Sequence, residues 1–482
     1  MRNIILTLAG IVLIQLSTAF SQNIDSSPNR VQTNLNIPFK RIGTIKPKNV
    51  NEIESSNWTI GCEVLDRDYA NYDSYKEFLP LLGIKKIRLQ GGWAKTEKQK
   101  GVYSWDWLDH IINDAVSRGL KPYLQTSYGN PVYEGGGGSD LSGGLPTSSE
   151  ALSAWDRWVE ALALRYKNKV SEWEMWNEPD NHKENTPEKV ANLNIRTARI
   201  IKHIQPEAEI AGLVMASGNN SGYLDGYLKT LSEKGALSLF KWIVYHGYTM
   251  NPDEAYKGVV KLDSVLKKYS STLMLRQGEN GAPSAYCPGF ALSKYNWTEM
   301  SQAKWDMRRM LGDLGHDVES EVFTIIDLYY KNWGDGAGTL NVKGLLQSDQ
   351  TLRTIRPKVA YYAVQNIASV FDHQLERIKN YRYSTDLSET LSAFGYQNIT
   401  NKLQVVSFWL NGKVPNNHFD TQQIEIIIEK GNFKKPAWVD LYSGRIYEIP
   451  KTNWSKSGTT YKFNVPIYDS PVLIADWSLL KK

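Results

Sequence analysis

Residues Trp58–Gln90 read WTIGCEVLDRDYANYDSYKEFLPLLGIKKIRLQ. The stretch opens on an apolar run suited to a strand, Trp58–Val64, and closes on another, Lys86–Gln90. Between them the apolar residues of Tyr69–Leu82 recur at helical spacing,. Two strands joined through a helix of this length lie parallel, with a right-handed crossover. The unit then repeats down the chain. Further strands are predicted at Lys121–Ser127, Ser171–Trp176, Glu209–Met215, Trp242–Tyr248, Thr272–Gln277 and Val322–Tyr329. Helices are predicted at Trp105–Arg118, Ser149–Lys167, Thr186–Ile204, Tyr223–Lys234, Asp253–Tyr269, Thr298–Leu314 and Ile355–Val370. The one at Thr186 opens TPEK, a capping threonine with proline at the first helical position,. Eight such units over residues 56–371 predict an α/β fold, a (β/α)8 TIM barrel,. A doubly wound open sheet is the alternative, and no GxGxxG or Walker motif follows an early strand to support its nucleotide-binding form.

Beyond Phe371 the apolar period changes to two. Leu403–Leu410, Gln423–Ile427, Ala437–Leu441, Arg445–Ile449, Tyr461–Val465 and Val472–Trp477 are short strands split by Asn, Gly and Ser turns,. Residues 372–482 therefore read as a β-sandwich-like domain. Residues 22–55 are polar, carry Pro28, Pro38 and Pro47, and read as an extended lead-in. Residues 1–21, MRNIILTLAGIVLIQLSTAFS, have the form of a signal peptide: Arg2, an apolar Ile4–Leu16, then Ala19-Phe20-Ser21 as a cleavage site,. The apolar run is too short and interrupted for a membrane span, and no other segment comes nearer. The expectation is a mature chain without a membrane span, secreted or periplasmic.

Among the 482 residues, 56 Lys and Arg against 51 Asp and Glu leave a net charge of +5. That near-balance, with no basic run of five, gives no sign of a nucleic-acid partner. A hydrophobic share of 41% with 22% charged residues excludes wholesale disorder,. The 16 Trp and 27 Tyr outnumber 12 Phe, which suits large wet binding surfaces as well as cores,. Cys62 and Cys287 are too few for a disulfide scaffold and badly spaced for zinc; one bridge or two independent thiols both fit,. No HExxH occurs and the seven His are scattered, so no metal site is expected,.

In such a barrel, catalytic groups stand where strands end at the C-terminal face. Ser171–Asp180 reads SEWEMWNEPD and puts Glu178 just past the fourth strand, between Asn177 and Pro179. The string resembles the acid/base motif of the clan A retaining glycoside hydrolases. WEMWNEPDN is most similar to family 39, the β-xylosidases and α-L-iduronidases, and Ala360–Ala368 (AYYAVQNIA) is similar to the final barrel helix of several such families. The resemblance implies that Glu178 is the general acid/base and Asn177 binds the sugar 2-hydroxyl. The chemistry needs a second carboxylate facing the first. In the clan it ends strand seven, where this chain has Glu279 in LRQGENGAPS. Many family members place Thr or Ser before it and an aromatic after it; here Gly278 and Asn280 flank it. Asp327, near the end of the eighth strand, is the rival.

The resemblance extends to the surroundings. Arg88 in KIRLQ is similar to the clan's arginine beside the nucleophile, and an arginine in an apolar parallel strand demands a buried partner,. His246 and Tyr248 match positions that hydrogen-bond the nucleophile or the sugar. Trp333 resembles the aromatic platform under the sugar, and Trp93 offers a further stacking surface. The reading is a secreted retaining glycoside hydrolase acting on β-glycosidic bonds of a poly- or oligosaccharide through a covalent glycosyl–enzyme intermediate, with no metal or organic cofactor. Glu178 is expected to work protonated, its pKa raised by burial and by Glu279, and Glu279 to stay ionised beside Arg88. The alternatives are a barrel that binds carbohydrate without catalysis and a transglycosylase using the same residues. Release of reducing sugar separates the binder, and longer products at high substrate mark the transglycosylase.

Overall fold

The computed structural model describes residues 31–141, 143–331 and 338–480. The signal peptide read at residues 1–21 and the platform read at Trp333 lie outside the described residues. Eight parallel strands close a barrel: Trp58–Gly61, Lys86–Gln90, Lys121–Gln125, Glu172–Glu174, Glu209–Met215, Trp242–His246, Met274–Glu279 and Glu319–Val322. The last pairs with the first in the register Trp58–Ser320 and Ile60–Val322. That closure excludes the open doubly wound sheet.

The eighth strand differs from the expectation at Val322–Tyr329. It is Glu319–Val322, and the apolar run that follows serves other partners. Leu328–Tyr330 forms an antiparallel hairpin with Thr339–Asn341, and Ile326 bridges Leu346. The reason is physical. Glu319 and Glu321 make the true strand read polar, yet Glu319 pairs with Arg276 at 2.7 Å and Glu321 is buried inside the barrel. Ile325, Ile326 and Leu328 are buried as well, so apolarity alone does not say which backbone they meet.

Helices cover the barrel where spacing put them, several with the caps the sequence offers. Ser148 accepts from Ala151, Thr186 from Lys189 and Thr298 from Ser301,. The helix expected at Tyr69–Leu82 is two short ones, Tyr72–Tyr75 and Phe78–Leu82, and the final one runs Val359–Val370. Thr354–Pro357, which overlaps its expected start at Ile355, is instead a strand paired with Leu346–Ser348.

The C-terminal region is two antiparallel sheets of seven and four strands. Strand Gln404–Leu410 explains how they pack. Val406 and Phe408 join Ile424, Ile426, Phe463 and Val465 of the smaller sheet, while Val405 and Trp409 face the barrel. Ala437 and Val439 against Trp438, and Leu473 and Ala475 against Val472 and Ile474, repeat the alternation,. The seven-stranded sheet is thus buried on both faces. Its edge strand is Arg41–Thr44, paired antiparallel with Arg445–Glu448, so part of the segment read as a lead-in completes the sandwich. Among the described residues no helix is long and apolar enough to cross a membrane.

Candidate active site

Arg88 occupies the middle of the barrel, fully buried. Its guanidinium meets Glu174 at 2.7 Å, Glu63 at 2.8 Å, Glu279 at 3.4 Å and Glu321 at 3.5 Å, and donates to Asn177 Oδ1 at 2.8 Å. One cation among four carboxylates, three of them fully buried, cannot balance them all. The surplus is relieved at Glu321, whose pKa is pushed well up by burial and by the neighbouring Glu63 charge,. Tyr123 and Gln125 also donate to Glu174. Arg88, read from the sequence as the arginine beside Glu279 and counted with the substrate-binding residues, is buried too completely to reach a sugar; it acts from beneath, orienting Asn177 and standing 3.4 Å from Glu279.

Glu178 follows immediately, and its backbone is unusual. Asn177 bridges Val214, the Glu178 N–H donates to the Val214 carbonyl at 2.9 Å, and Glu178 then turns left-handed at φ 46°, ψ 49°. A non-glycine residue held there carries strain that its surroundings must over-determine. The turn starts the short 3-10 helix Pro179–Asn181, whose Asn181 donates to Glu178 Oε2 at 2.8 Å. Glu178 Oε1 lies 2.6 Å from His246 Nδ1. Asn177 donates in turn to the Tyr128 hydroxyl at 2.8 Å.

Glu279 ends the seventh strand. The Tyr248 hydroxyl donates to its Oε1 at 2.7 Å, Arg88 approaches Oε2 at 3.4 Å, and His246 Nδ1 lies 3.6 Å from that same oxygen. Burial opposes its charge, but His246, Arg88 and the Tyr248 hydroxyl more than compensate, holding its pKa below the ordinary range,. Burial likewise opposes charge on His246, and the Glu279 and Glu178 carboxylates overcome it, raising that pKa. The flanking residues have structural reasons. A side chain at Gly278 would run into Val244, and Asn280 is buried, donating to the Glu321 carbonyl at 2.8 Å and so tying strand seven to strand eight.

Glu178, His246 and Glu279 each present a ligand atom within 4.8 Å of the others. The set could be offered to a cation, but Nδ1 and both carboxylates are engaged with one another, with Tyr248 and with Arg88. The arrangement suits chemistry at a group placed between two carboxylates. A cavity of about 250 Å³ adjoins it, lined by Asp66, Arg67, Lys95, Lys98 and Tyr128 among others.

Two expected residues fall elsewhere. Trp93 is fully buried, its ring 5.7 Å from Tyr133 and 6.0 Å from Trp158, with its N–H donated to Glu97. It is core and offers no face to a sugar. Asp327 stands beyond the true eighth strand, buried against Lys358 at 2.6 Å and accepting from the Gly344 N–H, which makes it a structural anchor. Cys62 and Cys287 are both free and buried. Sequence reasoning passed over Glu63, Glu174, Glu321, Tyr128 and Lys343. Glu174 had a visible signal, a charged residue beside Trp173 in its strand and two positions after Glu172; Glu321 was hidden in a run that reads polar, and the others are single polar residues in apolar or loop sequence.

No protein-family model matches the chain, and no curated protein matches it in sequence. Solved structures do. A family 39 glycoside hydrolase from the gut symbiont Bacteroides cellulosilyticus WH2 is 17% identical with a TM-score of 0.63, over 90% of this chain and 83% of that one. The family 39 enzyme of Xanthomonas axonopodis pv. citri is 13% identical with a TM-score of 0.58, over 90% and 97%. The catalytic domain of the family 30 xylanase C of Talaromyces cellulolyticus is 12% identical with a TM-score of 0.55, over 91% and 98%. The chain has the fold of these family 39 and family 30 glycoside hydrolases, a TIM barrel with a β-sandwich domain.

Proposed function

We propose that the chain is a retaining glycoside hydrolase that cleaves β-glycosidic bonds of an oligo- or polysaccharide, exported by way of residues 1–21. The observation that carries the reading is the approach of Glu178 and Glu279: their nearest oxygens lie within 4.8 Å, across the barrel mouth. Retaining enzymes set the two carboxyl groups about 5–5.5 Å apart, whereas inverting ones leave about 6.5–9.5 Å for a water.

The steps follow from the hydrogen bonds. Glu178 gives a proton to the glycosidic oxygen as the C–O bond breaks, with the His246 Nδ1 beside Oε1 as the neighbouring proton donor,. Glu279, kept ionised by His246, Arg88 and Tyr248, forms a bond to the anomeric carbon,. The leaving sugar departs as an alcohol. A water then gives its proton to Glu178, its oxygen bonds the same carbon from the opposite face, and Glu279 leaves as carboxylate. Asn177, fixed by Arg88 and Tyr128, is placed to hold a sugar hydroxyl throughout.

Proton NMR of the first-formed product tests the mechanism. The released sugar is expected to keep the β configuration before mutarotation; initial appearance of the α anomer would remove Glu279 from the nucleophile's role.

A further inference from the structure

We propose that Lys343 is a specificity residue of this site and takes an anionic substituent, a carboxylate or a sulfate ester, on the sugar that Glu279 attacks. The inference rests on the hydrolase reading above. It starts from how this molecule treats buried cations. Arg88 is ringed by carboxylates, Arg276 pairs with Glu172 and Glu319, Lys304 with Asp469, Arg308 with Asp253, Arg309 with Asp313 and Lys358 with Asp327. Lys343 is buried to the same degree, 2% exposed. Among the described residues its ammonium has no carboxylate within ion-pair distance and no hydrogen-bond acceptor. It rests on aromatic rings instead, 5.7 Å from the centre of Tyr248 and 5.6 Å from that of Phe290.

Its position gives that exception a meaning. Tyr248 is the residue whose hydroxyl holds Glu279, so its ring spans the distance from Lys343 to the nucleophile. The lysine backbone is fixed: buried Gln302 donates to the carbonyls of Lys343 and Gly344 at 3.2 Å each. Burial pulls the ammonium down to about 8, with Cys287 and Glu279 acting the other way, which leaves it charged at neutral pH,. A desolvated charge without a counter-charge is costly, and perturbed ionisable groups of this kind gather at sites where a ligand supplies the missing partner. Neutral hydroxyls would satisfy the ammonium's hydrogen bonds but not its charge. An anionic group on the sugar satisfies both.

The test uses matched glycans: uronate-containing oligosaccharides and their carboxyl-reduced forms, sulfated oligosaccharides and their desulfated forms. Wild-type enzyme and Lys343→Met are compared, since methionine replaces most of the stem without the charge. Wild type is expected to prefer the charged member of one pair at least about tenfold, and the arm in which it does so tells carboxylate from sulfate. Lys343→Met should lower kcat/KM on that member by about 30- to 100-fold relative to its neutral counterpart, as loss of a charge-assisted hydrogen bond does. Equal loss on both members, or wild-type cleavage of neutral members alone, overturns the inference while leaving the hydrolase reading intact. Binding titrations with the same pairs decide the matter without turnover. Affinity for a charged member that Lys343→Met removes supports the inference even if nothing is cleaved, in which case it is the hydrolase reading that fails; indifference of binding to charge overturns it.

Discussion

Glu279 owes its charge to three neighbours that contribute differently. Arg88 is a fully buried cation and His246 a fully buried imidazole whose pKa the two carboxylates raise, whereas Tyr248 contributes one hydrogen bond at 2.7 Å. That bond is the part that can be removed without leaving a buried charge unpaired. In the proposed mechanism Glu279 works as an anion, and kcat/KM falls as pH drops through its pKa. A depressed pKa places that acid limb below the ordinary carboxylate range. Tyr248→Phe removes a stabiliser of the anion, so the limb should move to higher pH. A hydrogen bond to a charged group is worth about 1.5–3 kcal/mol, and one pKa unit about 1.4. The expected displacement is about one to two pH units, measured on kcat/KM from pH 3 to 8 and accompanied by a loss of rate at every pH. An unmoved limb would mean the tyrosine holds substrate and not the nucleophile. At this scale the sequence was most informative where a string of residues is distinctive: Trp176-Asn177-Glu178-Pro179 pointed to the strand end where Glu178 approaches Glu279. Glu63, a single acidic residue in an apolar stretch, and Glu321, one of two in a run that reads polar, were illegible, because only barrel closure brings both to Arg88.

The helix Glu299–Gly315 behaves unlike an outer barrel helix. Its sequence, EMSQAKWDMRRMLGDLG, has the charges of a half-solvated face, yet nearly all of it is buried. One side lies on the barrel and another meets the sandwich, so its charges are matched by partners and not by water. Asp253 is the junction. Its carboxylate accepts from Arg308 at 2.8 Å, from the Trp409 indole at 2.9 Å and from Ser392 at 2.9 Å, joining the sixth barrel loop, this helix and the seven-stranded sheet. Asp253→Ala should destabilise the fold by about 3–5 kcal/mol, because Arg308 keeps a buried charge and two donors lose their acceptor. Urea unfolding reads that loss, while kcat/KM below the transition should stay within about twofold. A cost under about 1 kcal/mol would show the junction to be dispensable. This helix was legible at Thr298–Leu314, but its burial was not: periodicity registers polarity, and these polar residues are buried in pairs. The misplaced eighth strand has the same origin, since Glu319 and Glu321 hid a real strand behind their charges.

For the molecule as a whole, the barrel order was readable because each parallel crossover needs its own helix and the repeat recurs without gaps. The sandwich was readable only in part. Strands Leu391–Asn398 and Trp454–Ser457 have too little apolar alternation to stand out, and Arg41–Thr44 pairs with residues some four hundred positions later. That last pairing changes what the molecule is. Leu35 and Phe39 enter the core between the two sheets, while Val31, Ile45 and Val50 enter the core shared with the barrel. The N-terminal segment therefore ties together both halves, and the sheet between them has no solvent-facing side along its central strands. Two bodies that share one core should unfold as one. Calorimetry of residues 31–482 is expected to give a single transition with calorimetric and van't Hoff enthalpies in agreement. A chain starting at Asn49 loses Val31, Leu35, Phe39 and Ile45, each worth about 1.5–3 kcal/mol of burial, against a total stability of about 5–15 kcal/mol. It should lose the barrel and the sandwich together, although none of the removed residues comes near Glu178 or Glu279. Two resolved transitions, or a barrel still folded and active after that truncation or after cleavage near Asp372, would show that the halves are independent and that the sheet merely leans on the barrel.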